Sequence, residues 1–174
     1  MNGVEYFRAA DGRPIGLLVP HDFDDFESHP PTFETDEERE WLKSFYRVES
    51  PALERRTKAH ITADELPLQI TVLQRPAGAF VKPHWHLNER PPDVETRHQV
   101  MVCASGSARV GLFAKEGDHV ADIVMAPGDL LLMYEGHSIE TLEDGTRLLE
   151  IKQGPMPQDP FGDSIALELE EQRA

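Results

Sequence analysis

The sequence predicts an all-β protein, a single antiparallel barrel with a short helix near its N-terminus. Between residues 68 and 152, short β-rich runs alternate with turn residues, a spacing typical of sandwiches and barrels. The chain has 174 residues, the length of one domain, and a chain of about 150 residues buries about 70% of its unfolded surface. A core is therefore expected without stabilising cross-links.

The segment before the barrel, 1–66, is acidic, irregular and interrupted by prolines. Within it, Thr35 reads as a helix N-cap with Glu38 placed to bond back to it. Trp41, Leu42 and Phe45 then follow at helical spacing. We expect a short helix over 36–47, which packs its apolar face over one end of the barrel.

The barrel itself is expected over 67–154, as eight strands. The predicted runs are 68–74, 79–86, 98–104, 108–113, 119–125, 130–134, 138–142 and 147–152. Turn residues separate them, as in Ser105-Gly106-Ser107 and Pro127-Gly128-Asp129. Eight such strands fit a double-sheet jelly roll. In the C-terminal tail, 155–174, the stretch 164–172 fits either an edge strand or a frayed helix.

The charge balance argues against anionic partners such as nucleic acids and membranes. Thirty-two acidic side chains against 17 basic ones give a net charge of −15, which repels phosphate backbones and anionic lipids. Nucleic acid and membranes are therefore not expected as partners, and the charge serves solubility. A small-molecule substrate is the expected ligand.

The cellular compartment can be predicted from Cys103 and from the first ten residues. Cys103 is the single cysteine, so no internal disulfide is possible and a reducing, cytoplasmic location is expected. Residues 1–10 carry Glu5 and Arg8 with no apolar stretch behind them, so neither export nor membrane insertion is expected. Cys103 lies in an apolar run and is predicted to be a packed core residue.

Three histidines form a candidate metal site. His84 and His86 flank Trp85 in a predicted strand, and alternate residues of a strand point to the same face. His137 follows Gly136 near the start of another predicted strand. Three neutral imidazoles that leave coordination positions open commonly hold Fe(II), Zn, Ni, Cu or Mn.

At this point the sequence resembles the cupin superfamily, over about half of the chain. Its first motif, G-x5-H-x-H-x3-4-E-x6-G, is matched by Gly78, His84, His86 and Gly106. Gln99 stands where the family has a metal-binding glutamate, after an insertion around 88–97. The second motif, G-x5-P-x-G-x2-H-x3-N, is matched at Gly128 and Gly136, with Tyr134 for the proline, His137 two residues early and no final asparagine. The stretch 70–154 also resembles a group of small bacterial single-domain cupins.

The resemblance implies one divalent metal ion, Fe(II) or Zn foremost, on His84, His86, His137 and Gln99. If Gln99 is a ligand, a neutral amide oxygen replaces a carboxylate and the ion is more Lewis acidic. Alternatively Gln99 only orients a water, and an insertion residue, Glu89, Glu95 or His98, supplies the donor. If Gln99 points inward, strand alternation turns His98 outward.

Glu150 and Lys152 share one face of the last predicted strand, opposite Leu149 and Ile151. If that charged face lines the interior, Glu150 is a candidate acid or base and Lys152 a candidate site for an anionic substrate group. If it faces solvent, the two form a surface ion pair. Both arrangements are open at this stage.

Two aromatic residues complete the candidate site. Tyr134, two residues before Gly136, is either a proton donor or an aromatic at the rim of the barrel. Trp85, between two candidate ligands, is a candidate substrate-binding residue.

The leading hypothesis is a mononuclear metal enzyme for a small molecule, with oxygenase, isomerase or heteroatom bond-forming chemistry, oxygenase first. The run 98–110 also resembles nucleotide-sugar ketoisomerases, in which paired histidines move protons without metal. Those enzymes usually read H-x-H-K at the first motif, and in this chain Leu87 stands in place of the lysine. The net charge of −15 also disfavours a pocket for the nucleotide diphosphate. A non-catalytic barrel that binds a small ligand is the third hypothesis. A homodimer through sheet edges is expected.

Overall fold

The computed structural model describes residues 3–12, 14–29, 58–87, 96–155 and 164–167, and in these ranges the regular structure is entirely β. The strands are β1 Glu5–Arg8, β2 Pro14–Leu18, β3 Lys58–His60, β4 Leu68–Arg75, β5 Phe80–His86, β6 Gln99–Ser105, β7 Ala108–Phe113, β8 His119–Met125, β9 Leu130–Met133, β10 Gly136–Thr141, β11 Thr146–Gln153 and β12 Ser164–Ala166. The predicted helix over 36–47 lies outside the described residues. No helix in the described ranges is long and apolar enough to cross a membrane.

Two five-stranded sheets form the barrel. Their strand orders are β12-β5-β10-β7-β8 and β3-β4-β11-β6-β9, and every pairing is antiparallel. A separate hairpin, β1-β2, precedes them. This is the jelly roll that the run spacing predicts and the cupin resemblance implies, and the all-β prediction is confirmed. Each of the eight predicted runs corresponds to one of β4 to β11.

The flanking segments also contribute strands. In the tail, Ser164–Ala166 forms edge strand β12 beside β5, which decides between the two alternatives for these residues. Lys58–His60, before the predicted barrel, forms edge strand β3 beside β4. The sequence did not predict β1, β2 or β3, because each is short and its pairing depends on contacts with distant segments.

The interior between the sheets has an apolar end. Its buried members are Leu73, Met101, Cys103, Ala108, Val110, Met125, Met133, Ile139 and Leu148. A second cluster, around Phe23, Ala59, Ile61 and Val72, covers the outer face of β4 and β11. The second sheet is therefore packed on both faces at β4 and β11, and only its inner face reaches the barrel interior.

Candidate metal centre

Three histidines meet at the other end of the interior. His84 and His86 alternate along β5, and His137 on β10 lies directly opposite His84 in the strand register. Each is at most 6% exposed. The ring centroids are 4.5 Å apart for His84 and His137, 4.8 Å for His84 and His86, and 5.6 Å for His86 and His137. One potential ligand atom from each ring lies within 4.8 Å of the others, so the predicted trio converges on one point.

A β-bulge in β5 turns two of these rings inward. Val81 pairs with Ile139 and His84 with His137, so three steps along β5 span two steps along β10. Val81 packs on the apolar core, and without the extra residue His84 would point outward. Pro83 lies in this interval, and proline inside a strand often marks a bulge. Pro83 was the sequence signal for this feature.

Hydrogen bonds orient the rings. Nδ1 of His84 lies 2.8 Å from the carbonyl oxygen of Lys82, which can only accept, so Nδ1 carries the proton and Nε2 presents its lone pair. Nδ1 of His86 lies 3.3 Å from Oγ of Ser164 on β12. Bonds of this type fix the tautomer and orientation of metal-binding histidines. The tail strand therefore supports one of the three rings.

The imidazoles of His84 and His137 are held neutral. Burial lowers the pKa of His84 well below its usual value, and the neighbouring His137 and His86 lower it further. Burial, followed by His86, lowers the pKa of His137 to about 3. A metal ion requires unprotonated imidazole, so protons do not compete for these two nitrogens at neutral pH.

Gln99 reaches the trio from the opposite sheet. It is 2% exposed, and its Nε2 lies 2.9 Å from Nδ1 and 2.8 Å from Nε2 of His137. Its Oε1 is buried without a hydrogen-bond partner among the described residues. Leaving a buried acceptor unpaired costs about 1–3 kcal/mol, and rotation of the amide exchanges its oxygen and nitrogen. Three imidazole nitrogens and this oxygen form a donor set that fits a divalent metal ion.

Glu150 and Lys152 face the same interior. Both are buried, and they lie on the same face of β11 as Leu148, which belongs to the apolar core. Lys152 is paired in register with Gln99, and Glu150 with Met101. Of the two arrangements left open by the sequence, the structure has the charged face inward.

Electrostatics keep Glu150 ionised. Burial alone raises the pKa of this carboxyl, but Lys152, Lys58, His86 and His137 together outweigh it and lower the pKa to about 2. Carboxylate and imidazoles therefore belong to one electrostatic cluster. The negative charge of Glu150 in turn raises the pKa of His137, although burial outweighs this effect.

The two predicted aromatic residues lie away from the trio. Trp85 is on the opposite face of β5 from His84 and His86, in register with Ile165 of β12. Tyr134 is 56% exposed and packs edge-on against His98, with ring centroids 4.9 Å apart. His98 thus points away from Gln99, as alternation predicts. Glu89 and Glu95 lie outside the described residues.

Arg97 is a supporting residue that the sequence did not reveal. It is buried, its Nε donates to the carbonyl of Leu87 at 2.7 Å, and its Nη1 donates to that of Gln153 at 3.0 Å. Its backbone N–H donates to the carbonyl of His86 at 2.8 Å. Arginine is mostly exposed in proteins, so the sequence carries no signal for this burial. Arg97 ties together the strand ends that carry His86, Gln99 and Lys152.

No protein-family model matches the chain, and no curated protein matches it. Similar solved structures include oxalate decarboxylase of Bacillus subtilis, at 24% identity and TM-score 0.49, over 63% of this chain and 27% of that one. Oxalate decarboxylase of Lactobacillus farciminis has 19% identity and TM-score 0.44, over 58% and 27%. Another Bacillus subtilis structure, described by its Mn(II) centres, has 23% identity and TM-score 0.48, over 63% and 28%. The chain spans about a quarter of the length of these proteins, and its activity has to be argued from its own residues.

Proposed function

We propose that the chain is a mononuclear metal-dependent enzyme of the cupin type that acts on a small molecule. The observation that carries the proposal is the convergence of His84, His86 and His137, with ligand atoms within 4.8 Å of one another. The unpaired oxygen of Gln99 supports a fourth donor. This set suits Fe(II) or Zn foremost, and also Ni, Mn and Cu.

A divalent ion at this site supplies Lewis acidity, and it lowers the pKa of a bound water. The chain supplies the rest of the chemistry. Glu150 is buried and remains a carboxylate at neutral pH, so we assign it the role of orienting a substrate or water beside the histidines by accepting its hydrogen bond. A pKa of about 2 makes it a weak base. The apolar cluster around Leu148 and Met101 closes the other end of the interior and keeps bulk water from it.

Oxygenase chemistry is our first expectation for the reaction class, with isomerisation and heteroatom bond formation as the others. Three histidines and one amide leave coordination positions for substrate, water or dioxygen. The metal-free isomerase and the non-catalytic binding protein are separated from this proposal by metal content and by turnover. A metal-bound form with no turnover on any small-molecule panel would favour the binding protein.

The first test is elemental analysis by plasma mass spectrometry, on untagged protein purified without added metal. We compare the parent with His84→Ala/His137→Ala and with a matched control, His21→Ala/His119→Ala. The control also removes two histidines, but from the surface, since the His21 side chain is 96% exposed. Circular dichroism checks that all three proteins fold.

We expect near-stoichiometric metal in the parent and the control, and none in His84→Ala/His137→Ala. Iron would direct the next assays to oxygen uptake, and zinc or nickel to isomerisation and bond formation. Equal metal in all three proteins contradicts the proposal. So does a parent that takes up no ion from a mixture of Fe(II), Zn, Ni, Mn and Cu.

We also propose that the chain is a homodimer. The outer faces of β8 and β9, which lie at sheet edges, expose Val120, Val124, Leu130 and Leu132. The patch is mostly apolar, with the exposed carboxylate of Asp122 between Val120 and Val124. Burying its apolar surface between two copies offsets part of the repulsion between chains of net charge −15. Light scattering that gives the monomer mass at micromolar concentration would contradict this.

A further inference from the structure

The donors of the candidate centre carry no charge. An imidazole binds a metal ion as the neutral base, and Gln99 contributes an amide. A divalent ion bound there keeps both of its charges, whereas a glutamate at position 99 would cancel one of them. An uncompensated charge in a buried site is costly unless a counter-charge accompanies it.

One buried side chain near the donors adds positive charge. Lys152 is 4% exposed. Lys152 is paired in register with Gln99, and it lies on the same buried face of β11 as Glu150. Against the charge of Lys152, Glu150 is the one buried acidic side chain of the described residues. With a divalent ion in place, the interior therefore has a clear positive excess.

We propose that the site binds a small carboxylate, whose oxygens occupy the open coordination positions and whose charge is balanced by Lys152. This inference rests on the proposed function, because the bound ion supplies most of the positive excess. The exterior opposes nonspecific anion binding, since the chain carries −15 overall. Binding of an anion would therefore report on the interior.

A carboxylate fits this interior better than a phosphate does. Many phosphate sites use helix N-termini or arginine guanidinium groups, which bind two phosphate oxygens at once. The described ranges contain no helix, and Arg97 donates to the carbonyls of Leu87 and Gln153. Among the described residues, the ammonium group of Lys152 and the amide of Gln99 lie on the strand faces toward this interior, and they suit a compact anion.

The test uses the full chain loaded with Co(II), whose visible absorption responds to changes in its ligands. Acetate is titrated against acetamide, a neutral molecule of nearly the same shape, and against inorganic phosphate. We expect acetate to bind at least about tenfold more tightly than acetamide, and more tightly than phosphate. Co(II) content is measured first, by plasma mass spectrometry.

Three variants move the charge in known directions. Lys152→Met removes one positive charge and Gln99→Glu adds one negative charge, and each should weaken acetate binding about tenfold. Glu150→Gln removes a negative charge and should tighten acetate binding. Loss of structure would weaken binding in all three, so the opposite response of Glu150→Gln separates charge from misfolding.

The outcomes distinguish the two proposals. A parent that takes up no Co(II) overturns both, before any anion is added. One Co(II) per chain with equal binding of acetate and acetamide, or with variants that leave acetate binding unchanged, overturns the carboxylate inference alone. Phosphate binding tighter than acetate overturns it as well.

Discussion

The side-chain amide of Gln99, on one sheet, lies 2.8 Å from Nε2 of His137, on the other. This contact joins the two sheets at the candidate metal centre. It also places the unpaired Oε1 of Gln99 beside the imidazoles. The candidate fourth donor thus lies on the sheet that does not carry the histidines, so the geometry of the candidate centre depends on how the two sheets pack.

Replacing this amide should weaken metal binding. We expect Gln99→Leu to lower the affinity for Zn by about tenfold, the loss that removal of a supporting or coordinating group typically causes. The stoichiometry should stay at one ion per chain, because the three histidines remain. Competition with a chromophoric chelator measures the affinity.

The matched control for this variant is Gln74→Leu. Gln74 also lies on a strand, but its Oε1 accepts from Arg147, away from the histidines. Equal Zn affinity in the two variants would mean that Gln99 orients a water rather than the ion.

Glu150 and Lys152 should be energetically coupled. Removing one member of a buried charge pair typically costs about 3–5 kcal/mol, whereas replacing both members with apolar residues is often neutral. We therefore expect Glu150→Leu alone to be strongly destabilising, and Glu150→Leu/Lys152→Leu to recover most of the loss. Urea unfolding of the metal-free protein gives the free energies for the cycle. Additive effects of the two single variants would show that the residues do not interact.

Stability should fall in acid because of Glu150. Its pKa is about 2 in the folded protein, against an ordinary value of 4.5. Between these two pH values the unfolded state binds more protons than the folded state, so stability rises with pH. The contribution of the Glu150 carboxylate to the free energy of unfolding is complete above pH 4.5 and is lost as the pH falls toward 2.

The measurement compares urea unfolding of the parent and of Glu150→Gln, both metal-free, between pH 5 and pH 3. Each ionisable group contributes at most about 1.4 kcal/mol per pH unit. The parent should lose stability more steeply than the variant over this range. Parallel curves would contradict the lowered pKa of Glu150.

The turn between β6 and β7 should tolerate no side chain at Gly106. Its φ is +71°, and a Cβ there would lie 2.5 Å from Oγ1 and 2.9 Å from Cα of Thr146. Strain of this backbone conformation costs on the order of 1–3 kcal/mol, and the backbone contact adds to it. We expect Gly106→Ala to lower the melting temperature clearly.

Gly128→Ala is the matched comparison for this turn. Gly128 has φ +94° but no atom within 4 Å of the added carbon, so it isolates the conformational cost. Equal losses in the two alanine variants would show that Thr146 moves aside.

Much of the barrel was predictable because strands and turns are local patterns. The alternation of His84 and His86 and the eight β-rich runs are visible in the sequence itself. Which face of β11 points into the barrel was not predictable. Leu149 on one face packs on the cluster around Phe23, and Leu148 on the other face packs in the barrel core. When both faces of a strand are covered, apolar alternation does not identify the inner one.

The contribution of the flanking segments was also hidden. Ser164 supports His86 from the tail, across a long separation in sequence, and β3 adds Lys58 near Glu150. These contacts depend on tertiary packing, which local propensity does not specify. The same holds for Arg97, whose partners are backbone carbonyls that any residue type provides.

Arg97 also explains how the first motif accommodates an insertion. Leu87 pairs with Thr96, and Arg97 bonds back to His86 and Leu87, so the chain leaves β5 and returns toward β6 at nearly the same place. The two ends of the insertion are therefore held side by side, and lengthening a connection between fixed ends adds little entropic cost. The length and composition of the insertion can therefore diverge during evolution while the distance between His86 and Gln99 stays fixed.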